Sequence, residues 1–227
     1  MPARAAYSVG LMLVLSCGIA TPVWAQESAP QPGPPVIVTN NLPKAVLRHS
    51  YEHKLESKGG TPPLSWAVAT GELPPGLELH SNSGVISGSP TSAGTFYFTV
   101  RVADAAKPSR SHLRDLMLRV FPPLEVEWKS TPSADTQGIA GAIEISNHTN
   151  DDFDLTFIAL AVNEIGKAFV LGYEHFTLSA GTEQRQIAFG SNLPRGRYIV
   201  HADAVAEVPA KLIIYRSRLE SSALLVP

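Results

Sequence analysis

The sequence predicts an all-β protein made of two sandwich domains in tandem behind an N-terminal export segment. Three observations carry this. Apolar residues recur at every second position over short runs, and no segment shows sustained helical periodicity. The 17 glycines and 19 prolines fall between those runs, where strand reversals need them. The length of 227 residues gives each half about the size of one sandwich domain. A hydrophobic fraction of 44% against 17% charged residues marks a globular chain.

The chain opens with Arg4 and an apolar stretch from Ala5 to Ala20. Val23 and Ala25 suit signal-peptidase cleavage before Gln26, so residues 1–25 read as a signal peptide. A second reading stays open. Leu13-Val14-Leu15-Ser16-Cys17 resembles a lipobox, in which Cys17 is lipidated and becomes the mature N-terminus. Both readings place the protein outside the cytoplasm, either secreted, periplasmic or at the cell surface, or anchored as a lipoprotein through Cys17. A membrane contact is expected only in the second case. Residues 26–35 (QESAPQPGPP) read as a Pro-rich spacer.

Residues 36–121 form the first predicted domain. Val36-Ile37-Val38 opens it, and Tyr51, His53 and Leu55 alternate with Glu52 and Lys54. Leu64, Trp66 and Val68 share a face, which places Trp66 between two sheets rather than on a sugar-stacking surface. Pro75-Gly76 suits the two central positions of a type II turn, and Asn82-Ser83-Gly84 makes another. Phe96, Phe98, Val100 and Val102 alternate with Tyr97, Thr99 and Arg101, the clearest strand in the chain. Leu116, Leu118 and Val120 close the domain.

Several of these words together resemble the putative immunoglobulin domain family of bacterial surface and secreted proteins, relatives of cadherin-like and dystroglycan-like modules. They are Pro63-Leu64-Ser65-Trp66, Gly71-Glu72-Leu73-Pro74-Pro75-Gly76-Leu77, Gly84-Val85-Ile86-Ser87-Gly88-Ser89-Pro90-Thr91 and Ala93-Gly94-Thr95-Phe96 through Asp104. The resemblance covers about 80 residues in order. It implies an immunoglobulin-like sandwich serving as spacer, adhesion or docking unit, and no chemistry.

Residues 122–227 form the second predicted domain, also read as an immunoglobulin-like sandwich, here on pattern alone. Phe121-Pro122-Pro123 breaks the chain. Leu124, Val126 and Trp128 alternate with Glu125, Glu127 and Lys129, and Ile139, Gly141, Ile143 and Ile145 share a face. Phe153 to Val162 is apolar on both faces over its second half, because Ile158, Leu160 and Val162 oppose Phe157, Ala159 and Ala161. Two readings follow: a central strand covered by the first domain or a loop, or a surface for a protein partner or self-association.

No constellation points to catalysis, so no enzyme activity, catalytic residue, cofactor or metal is expected. GxSxG, HExxH and CxxC patterns are absent. His49 and His53 lie about 13 Å apart if both sit on one strand, too far to share a metal. Ser87 reads as part of a turn. Asn150, Asp151, Asp152 and Asp154 read as a solvated turn, with calcium as the weaker option. Asp104 ends a strand where cadherin-like relatives sometimes place a calcium ligand, but their acidic linker motif is missing. Asn147-His148-Thr149 fits a glycosylation sequon. The net charge of −2 and the lack of a basic cluster exclude nucleic acid. The expectation is an exported, non-catalytic binding or scaffold protein of the bacterial envelope, working by protein–protein interaction or adhesion. The alternative is a carbohydrate-binding module or accessory subunit of an extracytoplasmic enzyme.

Overall fold

In the computed structural model, which describes Met1 and residues 32–227, alternation of side chains becomes alternation of burial. The expected signal peptide, Cys17 and residues 26–31 of the spacer lie outside the described residues. The N-terminal half contains β1 (Val36–Ile37), β2 (Ala45–Val46), β3 (Tyr51–Lys54), β4 (Ser57–Lys58), β5 (Ser65–Gly71), β6 (Leu77–Leu79), β7 (Val85–Gly88), β8 (Gly94–Ala103) and β9 (Ser111–Phe121). A four-stranded sheet runs β2-β9-β8-β5, and a three-stranded sheet runs β3-β7-β6. The β2–β9 pair is parallel and the others are antiparallel. In β8, Phe98, Val100 and Val102 turn inward, with Trp66, Ile86 and Leu118 among their neighbours in one core.

Glycine is needed at two of the turns. Gly76 has φ of 90° and lets the Leu77 N–H donate to the Pro74 carbonyl at 3.0 Å, closing the expected turn. Gly84, at φ 68°, lies against the Trp66 indole, where an added Cβ would stand 2.7 Å from the ring. The indole therefore packs on bare backbone.

The end of the Pro-rich stretch is fastened to the first sandwich. The Gly33 carbonyl accepts the Gly60 N–H at 2.7 Å, and the Pro32 carbonyl accepts from Arg110 Nη1 at 2.9 Å. Proline cannot donate, but its carbonyl still accepts. The sequence-based boundary at residue 36 thus falls inside a bonded segment.

The C-terminal half contains β10 (Leu124–Ala134), β11 (Gly138–Asn147), β12 (Phe153–Asn163), β13 (Ala168–Leu178), β14 (Arg185–Asn192), β15 (Gly196–Val208), β16 (Ile213–Glu220) and β17 (Leu224–Val226). One sheet runs β10-β11-β14. The other runs β13-β12-β15-β16, with β17 also paired to β15. A second core forms between them from residues including Ile143, Phe153, Phe157, Leu178 and Val200. Leu212 follows a short 3-10 turn (Pro209–Lys211) in left-handed conformation and is 92% exposed.

Tyr198 donates to the Pro194 carbonyl at 2.8 Å, a bond of the tyrosine-corner kind that pins a strand entry in immunoglobulin-like sandwiches. Residues 32–227 cluster as one compact unit. Only Pro122 and Pro123 separate β9 from β10. Around them, the His148 ring lies 4.3 Å from that of Phe121, Arg119 sits 4.3 Å over the same Phe121 ring, and Lys44 pairs with Glu183 at 2.6 Å.

Candidate functional site

The most distinctive surface lies on the outer side of the β13-β12-β15-β16 sheet. Phe157, Ala159 and Ala161 of β12 point inward and are fully buried. The alternate residues Ile158, Leu160 and Val162 point outward and are only half-buried. Across the ladder, Ile158 faces Tyr173 and Asp203, Leu160 faces Val170 and His201, and Val162 faces Ala168 and Ile199. Val170 and Tyr173 are 58% and 62% exposed. The strand is central, as one expected reading required, but its outer face carries exposed apolar neighbours rather than a covering layer.

A register shift between Ala159 and Leu160 shapes this face. The extra residue lets Leu171 turn inward, where it is buried, while Val170 and Tyr173 both turn out. A polar border follows on the β15–β16 side. Arg218 Nε donates to Asp203, and His201 stands 3.6 Å from Glu220. The Asp203 carboxylate raises the Arg218 guanidinium further above its ordinary value. An apolar centre with a charged rim is the anatomy of a protein interface.

The residues singled out in the sequence fall elsewhere and do not converge. Trp66 is buried in the first core, and Trp128 packs half-buried on the second, 6.1 Å from Phe189. His49 precedes β3 rather than sharing its face with His53, and its Nδ1 lies 3.0 Å from the Leu47 carbonyl. The acidic loop is dispersed. Asp151 pairs with Lys211 at 2.7 Å, Asp152 accepts the Ala180 N–H at 2.8 Å, and Asp154 faces His175 at 3.2 Å. Among the described residues no three His, Cys, Asp or Glu side chains meet in a metal-binding group.

Two residues have roles that sequence spacing does not display. Asp104 is buried with both carboxylate oxygens occupied. Oδ1 accepts from the N–H groups of Arg110 and Ala106, and Oδ2 accepts from Thr61 N–H and from Arg110 Nε and Nη2. Desolvation pushes its pKa up. The Arg110 and Thr61 N–H groups, the Arg110 guanidinium and the Ala106 N–H outweigh that and hold it at about 2. An internal guanidinium thus occupies the place of a cation. Asn147 of the sequon is fully buried, with its amide nitrogen bonded to the carbonyls of Asp151, Leu178 and Ser179 and its oxygen to Thr149. It braces a loop instead of offering a glycan acceptor.

Ser87 Oγ lies 2.8 Å from His80 Nε2, a pair the sequence left unconnected. Nucleophilic catalysis also needs a group to orient the histidine. Among the described residues no carboxylate is hydrogen-bonded to the His80 ring.

The N-terminal segment 34–115 matches the family model described as Putative Ig domain. That segment is an immunoglobulin-like module, within an all-β chain. Among solved structures, one described as a putative alpha-galactosidase from Bacteroides fragilis is 25% identical over 46% of this chain and 20% of its own, with a TM-score of 0.32. Protocadherin gamma B7 extracellular domains 1–4 are 9% identical over 86% of this chain and 51% of their own, with a TM-score of 0.36. Mouse cadherin-23 EC22–24 is 14% identical over 85% and 66%, with a TM-score of 0.32. The chain spans about a fifth of the galactosidase it matches. No curated protein matches.

Proposed function

We propose that this protein is an exported, non-catalytic binding module that docks a partner protein through the open face of its C-terminal sheet. The observation that carries the reading is the row Ile158, Leu160 and Val162, set beside exposed Val170 and Tyr173 and bordered by the Arg218–Asp203 pair. Leaving such a row in water forgoes roughly 25 cal/mol per Å2 of apolar surface, which a partner recovers on binding. The immunoglobulin-like module at 34–115 supports a spacer or adhesion role for the other half. Export rests on the leader sequence, with free secretion favoured over lipidation at Cys17.

The test is association of the full chain with and without Leu160→Asp. Light scattering reads self-association, and co-purification from an envelope fraction reads a partner. The expected result is a complex that Leu160→Asp disrupts while the melting curve stays cooperative. An intact fold with unchanged association removes this face from the function. Metabolic labelling with a palmitate analogue decides Cys17 separately.

A further inference from the structure

The outer side of the β2-β9-β8-β5 sheet carries a groove of about 540 Å3, within the roughly 300–1,000 Å3 of small-ligand sites. The alternation that buries Phe98 and Val100 sends Tyr97 and Thr99 outward. Tyr97 pairs across the ladder with Met117, and Thr99 pairs with Asp115. Tyr97 is 69% exposed and Met117 50%, so an aromatic ring and a thioether lie open side by side.

Polar groups beside them are held in place. Thr99 Oγ1 donates to Asp115 Oδ1 at 2.7 Å and accepts from Thr70 Oγ1 at 2.8 Å. Thr70 reaches this row because β5 shifts register at Val68/Thr70 and ends at Gly71, whose φ is 73°. A Cβ at Gly71 would stand 2.4 Å from the Tyr97 carbonyl oxygen, so this approach requires glycine. Asn40 and Asn41 add two exposed amides to the lining.

We propose that this groove binds a neutral glycan segment, a site separate from the protein-docking face. The apolar face of a pyranose ring stacks on Tyr97, and its hydroxyls bond to Asp115 and the two asparagine amides. Other ligand classes fit the groove less well. No Lys or Arg lines it, and Asp115 repels phosphates, acidic sugars and acidic peptides. A peptide added as a strand would run along the free edge of β5, away from Tyr97 and Asp115, because β8 is paired on both sides, to β5 and β9. A wholly apolar ligand would strip water from the carboxylate without replacing its hydrogen bonds.

The probes are maltotriose, cellotriose and a β-linked galactotriose, each titrated against the full chain and read by saturation-transfer NMR. At least one is expected to receive saturation on its ring protons. Tyr97→Ala should weaken that binding at least tenfold, and Asp115→Asn should weaken it several-fold. Tyr173→Ala, on the opposite half of the molecule, should leave it unchanged. Because Tyr97 is exposed, its loss should leave the melting curve intact, which is checked in parallel. The proposal is overturned if no trisaccharide binds, if Tyr97→Ala binds as the parent does, or if neutral peptides compete for the same Tyr97-dependent signal. None of these outcomes bears on association through Leu160.

Discussion

Tyr198 and Pro194 are joined by a 2.8 Å hydrogen bond from phenol to carbonyl across four residues. Tyr198 is otherwise buried, packed edge-on to Phe169 at 5.8 Å. Tyr198→Phe keeps the ring and removes only the donor. The expected loss is about 1 kcal/mol, read as a lower urea midpoint at unchanged slope.

Asp104 gives the molecule a defined acid limit. Its folded pKa of about 2 lies below the ordinary 3.8, so the folded state binds its proton more weakly than the unfolded chain. The stabilisation is complete above 3.8 and is lost as pH falls from there through about 2. Melting temperature measured across this window should drop steeply. In Asp104→Asn it should start lower and lose that part of its pH dependence.

Asn147 holds three carbonyls and a threonine from within the core. Asn147→Ala removes a donor shared by three carbonyls and takes away the acceptor of the buried Thr149 N–H. We expect a loss of about 2–3 kcal/mol by chemical denaturation. The same substitution should change the mass of the protein by the residue difference alone, since a buried amide is not an acceptor for glycosylation.

The two faces of β12 should differ sharply. Phe157 is fully buried, so Phe157→Ala is expected to cost about 3–5 kcal/mol. Leu160 is half-exposed, and Leu160→Asp should cost about 1 kcal/mol. Equal costs would mean that the outward face is covered.

The strands were legible wherever one face is oily and the other wet. Phe98, Val100 and Val102 point inward as their alternation predicts, and Trp66 packs inside as its apolar neighbours predict. What the linear pattern hides is anything set by an irregularity or by distant partners. The bulge that turns Leu171 in and Val170 out adds one residue whose only mark in the sequence is the neighbouring Gly172. Arg110 is a surface cation in the sequence and the partner of a buried carboxylate in the fold. Met117 is 20 residues from Tyr97, and only antiparallel register makes them neighbours. The double-sided apolar run of β12 did flag the candidate face, but neither its rim nor its breadth could be read before β13 and β15 were placed beside it.

The two prolines between β9 and β10 have a mechanical consequence. Each fixes φ near −65°, so a tug on the N-terminal module has little slack to take up at the junction. It passes straight into β10, whose paired residues extend from Leu124 to Ala134 along β11. Force directed along that ladder strains many rungs together instead of opening them singly, and the resistance met is then a matter of unfolding rate. The junction thereby keeps β9 and β10 in line under load.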